Sequence, residues 1–229
     1  MKPHVIHSNS FAADAANIIA EAADEAVKER GIFRLALSGG STPAPVYAEL
    51  AREEGFPWEK TQITFGDERC VQPGDPQSNF RMAKETLLHA VPIPEGNVWR
   101  IRGELEPEAA AAEYDARLNE LAHRMGEMRY RHDLLLLGMG DDGHTASLFP
   151  GTAGLEETER SVVANFVPKF GTYRITVTFP LIAAARHICF LVNGASKAAL
   201  VQEILNGNHE YPAARAVPES GQLTWVLGF

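Results

Sequence analysis

The chain has 229 residues, of which 45% are hydrophobic and 22% are charged, a composition typical of a globular protein with a large core. No Pro/Ser-rich linker or block of like charge divides it, and we expect one domain over residues 1–229. The formal net charge of -9 argues against a nucleic acid or an anionic membrane as a partner, because like charges repel at long range.

The cysteines and the N-terminal residues predict a cytoplasmic protein. Cys70 and Cys189 lie far apart with no C-x-x-C spacing, which gives no sign of a disulfide framework or a cysteine zinc site. The first residues contain no apolar signal core, and no apolar run approaches the ~20 residues that span a bilayer. No spacing of His, Cys or carboxylates matches a known metal site, so no metal is expected.

Strands and helices alternate along most of the chain, which predicts an α/β fold with a mostly parallel sheet. Ser10 can cap a helix over residues 11–30, which Gly31 can end. The next predicted elements are a strand 33–38, a helix 43–54, a strand 63–66, a helix 78–90, a strand 98–101, a helix 107–125 and a strand 134–137. The remaining ones are strands 161–166, 174–179, 187–192 and 223–227 and a helix 196–206. The first two of these later strands are consecutive, which indicates an antiparallel excursion or an edge.

The turn after residues 134–137 holds the strongest candidate for chemistry. Four consecutive leucines are typical of a central parallel strand buried on both faces, and open α/β sheets bind ligands at the carboxyl ends of such strands. The following Gly-Met-Gly-Asp-Asp-Gly-His places His144 at that edge. Imidazole can take a proton from water near pH 7, and Asp142 could orient it and stabilise its charged form. The alternative is a surface histidine that makes only a turn hydrogen bond.

The same turn fits the dinucleotide pattern G-x-G-x-x-G, but we reject that function. Two aspartates inside the turn would repel a pyrophosphate, and the match lies past the middle of the chain.

A second turn, Ser38-Gly-Gly-Ser-Thr-Pro43, lies between a predicted strand and a helix that Thr42 can cap. Its glycines, Gly39 and Gly40, allow backbone N–H groups to converge with Ser41 on an anion, although a tight connection alone would also need glycine. No Gly-Lys-Ser/Thr follows, which excludes a Walker A motif, and Ala36 replaces the first glycine of a serine-hydrolase elbow.

Charged residues follow the strand 63–66 directly, as Asp67-Glu68-Arg69. Arg69 could bind an anion, while Asp67 or Glu68 holds its guanidinium or bonds sugar hydroxyls. The alternative is a surface ion-pair cluster of little energy. Three further cations could complete a phosphate clamp, although each alone is more typical of a solvated side chain; they are Lys169, Arg174 and Lys197.

Taken together, Leu37-Ser-Gly-Gly-Ser-Thr-Pro43, Gly66-Asp-Glu-Arg69 with Ser78-Asn79, and Gly138 to Pro150 resemble the 6-phosphogluconolactonase family. The resemblance covers nearly the whole chain. It implies a Rossmann-like fold with helices on both faces of the sheet, and hydrolysis of 6-phospho-D-glucono-1,5-lactone to 6-phosphogluconate in the pentose phosphate pathway, without a metal or coenzyme.

The resemblance also implies roles for individual residues. His144 would be the general base that activates water, with Asp142 supporting it. The arginines and lysines would share the phosphate and the developing negative charge with the amides of residues 39–41. The sequence leaves the oligomeric state open, a monomer included.

Two other functions remain open. Glucosamine-6-phosphate deaminase is a related enzyme, but its turn resembles Gly-His-Ile-Ala-Phe-Asn-Glu-Pro, and here Thr145 to Pro150 lacks the Asn-Glu pair. A non-catalytic sugar-phosphate-binding module would not need His144. A measurement of lactone hydrolysis distinguishes these two functions from a lactonase, because only a lactonase would exceed the spontaneous rate.

Overall fold

Two sheets form the framework of the computed structural model, which describes residues 2–229. The strands are β1 (His4–His7), β2 (Phe33–Leu37), β3 (Thr61–Phe65), β4 (Asp67–Arg69), β5 (Leu134–Leu137), β6 (Val162–Val167), β7 (Thr172–Val177), β8 (His187–Asn193) and β9 (Gln222–Gly228). The larger sheet has six parallel strands in the order β1-β9-β8-β5-β2-β3. The smaller sheet is antiparallel, in the order β4-β7-β6. The α/β fold class is confirmed, and so is the antiparallel excursion.

The α-helices are α1 (Phe11–Arg30), α2 (Ala44–Leu50), α3 (Asn79–Ala83), α4 (Pro107–Arg124), α5 (Phe179–Ala184), α6 (Ala198–Leu205) and α7 (Pro212–Arg215). Every residue of β2 and β5 is buried, so other elements cover both faces of the large sheet. Helices α1 and α2 pack on each other, and α4 packs against β6 and β7. Within residues 2–229, no helix combines the length and apolar character needed to cross a membrane.

The bounds of α1 agree with the sequence, whereas the two predicted N-caps, Ser10 and Thr42, are wrong. Helix α1 ends at Gly31, whose φ of 76° is in the left-handed region that glycine tolerates. Ser10 makes no side-chain cap; instead the Ser8 hydroxyl accepts from the Ser10 N–H and donates to Asp14. Thr42 makes no cap either, because α2 begins one residue later than predicted, with Pro43 at the N-cap. The helix also ends earlier than predicted, at Leu50.

Three other predicted elements differ from the structure. The helix predicted over 78–90 is α-helical only in α3 and continues as a π-helix over Lys84–Leu88. The strand predicted over 98–101 is wrong: Val98 forms a single bridge to Ile63, and the Trp99 carbonyl accepts from the Tyr114 hydroxyl, not from a neighbouring strand. The strand predicted over 174–179 ends at Val177, because α5 begins at Phe179.

One glycine joins the two sheets. Gly66 stands between β3 and β4, and its N–H donates to the Leu37 carbonyl at 2.9 Å in the parallel sheet. Its own carbonyl accepts from the Val177 N–H at 2.9 Å in the antiparallel sheet. The chain therefore passes between the sheets at a single residue, next to the carboxyl end of β2.

Candidate active site

A cavity of about 220 Å³ opens at the carboxyl ends of β2, β3 and β5. Its lining residues are Ser38, Gly39, Gly40, Ser41, Thr42, Pro43, Asp67, Arg69, Gly138, Met139, Gly140, His144 and Ala146. The structure thus brings together six of the predicted site residues, from three separate turns. A larger cavity of about 450 Å³ lies at the amino ends of β8 and β9, where Asp133 forms ion pairs with Arg30 and Arg186.

Asp142 and a neighbouring aromatic ring fix the His144 side chain. Asp142 Oδ1 lies 2.5 Å from His144 Nδ1, so a proton on Nδ1 is donated to the carboxylate. The imidazole stacks on Phe149, with ring centroids 3.9 Å apart. No hydrogen bond to His144 Nε2 comes from residues 2–229, which leaves that nitrogen available as a base. A Cβ on Gly140 would collide with the imidazole, which explains the glycine there.

Asp142 stays ionised because two cationic or donor groups hold it. Its Oδ2 forms an ion pair with Lys169 Nζ at 2.9 Å, while Oδ1 faces His144. Burial raises the pKa of Asp142, but the hydrogen bonds from His144 and Lys169 outweigh burial and lower it to about 2. The carboxylate is therefore anionic at neutral pH and fixes the tautomer of the imidazole.

Arg69 and Arg174 are direct neighbours across β4 and β7, so their side chains leave the same face of the small sheet. Arg69 donates to the Gln77 carbonyl, and the Arg174 guanidinium lies 5.4 Å from the centre of the Phe170 ring. Burial and then the charge of Arg69 lower the pKa of Arg174. Among residues 2–229, no carboxylate forms an ion pair with either arginine. Two adjacent cations without a counter-ion are suited to binding an anion.

The acidic residues beside Arg69 do not hold its guanidinium, so that expectation is wrong. The buried Glu68 carboxylate instead accepts from the backbone N–H groups of Asn79 and Phe80 at the start of α3. Asp67 lines the cavity and accepts from Asn79 Nδ2 at 3.0 Å and from Ser147 Oγ at 2.6 Å. These contacts fix the strand end that carries Arg69. Bonding of sugar hydroxyls by Asp67 stays a prediction.

Two lysines contact the His144 turn. Lys197, in a short 3₁₀ turn before α6, donates to the Met139 carbonyl and lies 3.4 Å from Asp141. Lys169 holds Asp142, as described above, and is more exposed than Lys197. Neither lysine lines the cavity. Their predicted role in phosphate binding stays a prediction, and the structure adds the contacts by which they hold the turn.

The glycine turn supplies the opposite wall of the cavity. Gly40 has φ 93°, which favours glycine, and a Cβ on Gly39 would collide with the Asn79 side chain. Seven lining residues lie outside the predicted site residues: Ser38, Thr42, Pro43, Gly138, Met139, Gly140 and Ala146. The first six belong to the two glycine turns that the sequence marks. Ala146 follows the His144 turn and has φ 47°, a strained value for a residue other than glycine.

The parallel sheet, with a cavity formed by turns at its carboxyl edge, defines a Rossmann-like α/β protein. Residues 7–225 match the family described as glucosamine-6-phosphate isomerases/6-phosphogluconolactonase. The chain belongs to this family.

Individual relatives agree with the family match. The chain is 44% identical to a 6-phosphogluconolactonase of Synechocystis over 211 residues, covering 89% of this chain and 85% of the relative. The crystal structure of 6-phosphogluconolactonase from Thermotoga maritima has a TM-score of 0.87 at 28% identity, covering 100% and 99% of the two chains. A monomeric glucosamine-6-phosphate deaminase has a TM-score of 0.79 at 22% identity, which is a likeness of fold alone.

Proposed function

We propose that this chain hydrolyses 6-phospho-D-glucono-1,5-lactone to 6-phosphogluconate. Several relatives that match most of the chain are 6-phosphogluconolactonases. The observation that carries the proposal is the cavity itself. It combines an imidazole fixed by a carboxylate with one of two adjacent arginines that lack a carboxylate partner.

His144 acts as the general base in this reaction. Its Nε2 takes a proton from water while the water oxygen forms a bond to the lactone carbonyl carbon. The anionic Asp142 holds Nδ1–H and stabilises the positive charge that develops on the ring. When the tetrahedral intermediate collapses, the bond between the carbonyl carbon and the ring oxygen breaks. The imidazolium returns its proton to that oxygen, which becomes a hydroxyl of the product.

The phosphate binds to Arg69 and Arg174, at the far end of the substrate from the reacting carbonyl. A dianion there neutralises two guanidinium groups that otherwise repel each other across the strands. The backbone amides of residues 39–41 lie in the same cavity and contribute further donors. Lys169 and Lys197 add positive charge beside the His144 turn.

The experiment that tests the proposal measures lactone decay. Glucose-6-phosphate dehydrogenase generates the lactone in the presence of the purified protein, and hydrolysis is followed against the spontaneous rate. We expect hydrolysis well above that rate, and no ammonia release from glucosamine 6-phosphate. Decay no faster than the spontaneous rate would contradict the enzyme and leave a binding module.

His144→Ala tests the assigned base. Loss of a general base lowers kcat by about 10²-fold or more while the fold is retained. His123→Ala is the matched control, because His123 is an exposed residue in the last turn of α4 and should leave kcat unchanged. Equal activity of His144→Ala and the wild type would remove His144 from the mechanism.

The proposal places the reaction in the cytoplasm. Cys70 and Cys189 are free thiols in the structure, as expected in a reducing compartment. Related proteins are named as chloroplastic in Arabidopsis thaliana and as endoplasmic in Homo sapiens, so location varies within the family.

A further inference from the structure

The Ser38 hydroxyl is buried at the cavity without a hydrogen-bond partner. Ser38 follows β2 directly and is 8% exposed, and its Oγ contacts no donor or acceptor among residues 2–229 within hydrogen-bond geometry. Both backbone groups of Ser38 are satisfied by the buried Tyr47 hydroxyl, which accepts from the N–H at 2.9 Å and donates to the carbonyl at 2.8 Å. The backbone is therefore fixed, while a buried polar atom is left unpaired at a cost in free energy.

Ser38 and the two arginines belong to different elements of the site. The parallel register pairs Ala36 with Leu135, which puts Ser38 at the level of the last residue of β5, below the turn that carries His144. Ser41, in the same loop, is exposed. Arg69 and Arg174 belong to the small sheet, on the side where the phosphate binds in the proposed function. Ser38 thus offers a neutral hydroxyl at the cavity, which suits an uncharged group of the substrate, while the arginines match the charge of the phosphate.

We propose that Ser38 Oγ forms a hydrogen bond with the sugar part of the substrate, at a hydroxyl or carbonyl oxygen, and not with the phosphate. This inference rests on the proposed lactonase function. A hydroxyl that gains its partner only when the ligand binds contributes to affinity and nothing to the stability of the free protein. Removing it should weaken binding of the sugar about threefold to tenfold, the usual range for one neutral hydrogen bond.

The test compares Ser38→Ala with the wild type by calorimetric titration of 6-phosphogluconate and of inorganic phosphate, together with the melting temperature of the free protein. Ser161→Ala is the matched control. Ser161 is also buried, but its Oγ accepts from Arg129 Nη1 at 2.8 Å, far along the chain from the cavity turns. That variant should lose melting temperature and keep both affinities.

For Ser38→Ala we expect 6-phosphogluconate to bind three- to tenfold more weakly, phosphate to bind as before, and the melting temperature not to fall. Unchanged binding of 6-phosphogluconate, or equal weakening of both ligands, would overturn the inference. A fall in melting temperature like that of Ser161→Ala would also overturn it, because it would reveal a partner within the protein. If the wild type neither bound 6-phosphogluconate nor opened the lactone, the proposed function would fail as well; with both intact in the wild type, only the role of Ser38 is at stake.

Discussion

Lowering the pH should destabilise the protein through His132, a buried histidine outside the candidate active site. Its ring lies just before β5 and is 1% exposed. The Thr64 hydroxyl can donate to the Leu35 carbonyl, so His132 Nε2–H donates to Thr64 Oγ1 at 2.9 Å and Nδ1 carries the lone pair. That Nδ1 is buried with no partner among residues 2–229. A proton on it would be an unsatisfied charge, and burial together with the charge of Arg34 lowers the pKa of His132 to about 3.

The size of the effect follows from linkage. An unfolded histidine titrates near pH 6.5, whereas folded His132 stays neutral down to pKa about 3. Between these values the unfolded chain binds a proton that the folded chain does not, so stability is present above pH 6.5 and is lost as the pH falls. Each pH unit in this window costs about 1.4 kcal/mol, and going from pH 7 to pH 5 costs about 2 kcal/mol. Burial also lowers the pKa of His187, to about 4, so its protonation likewise reduces the stability of the protein as the pH falls.

Urea unfolding at pH 7 and pH 5 measures this loss. The comparison is between the wild type and His132→Gln, which has no titrating ring, and the exposed His123→Gln serves as the control. We expect the wild type and the control to lose about 2 kcal/mol more than His132→Gln between the two pH values. If all three proteins lost the same free energy, His132 would not be neutral in the fold and the reasoning would be refuted.

Two predictions concern catalysis. Arg174→Ala should raise KM about tenfold with kcat nearly unchanged, because ground and transition states share the phosphate contact. The control Arg160→Ala, at an exposed ion pair, should change neither constant. A fall in kcat alone for Arg174→Ala would place Arg174 at the oxyanion instead. Gly140→Ala should lower kcat about 10²-fold, since the new methyl group displaces the His144 ring. Gly96→Ala, where a Cβ meets no atom within 4 Å, is its control, and full activity of Gly140→Ala would show that the ring tolerates displacement.

Local patterns in the sequence were sufficient for five of the six strands of the large sheet. Four leucines of β5 are buried on both faces, as the run predicts, and Gly31 ends α1. Strand β4 was not predictable, because Asp67-Glu68-Arg69 has no strand propensity and is extended through its pairing with β7. The edge strand β1 was missed because its four residues are too few to show an alternating pattern, and its pairing with β9 joins segments distant in sequence.

In the candidate site, too, contacts within one turn could be predicted from the sequence and contacts between distant segments could not. Asp142 and His144 are two residues apart in one turn, so their contact could be predicted from spacing. The hydrogen bond from Ser147 to Asp67 joins residues 80 positions apart, and it cannot be predicted from the spacing of residues in the sequence. The same holds for Lys169, whose ion pair with Asp142 depends on how the small sheet folds back over the turn. Contacts between distant segments decide which cations face the cavity and which hold its walls.

Gly66 fixes the two sides of the cavity relative to each other, which affects ligand binding. Because one residue, Gly66, is hydrogen-bonded to both sheets, the glycine turn after β2 and the arginines of β4 and β7 are tied to a common point. The donors on the two sides of the cavity are therefore preorganised relative to each other, and little conformational entropy is lost when a ligand bridges them. A mutation that loosened this joint would weaken a bridging ligand while leaving each half of the cavity chemically intact.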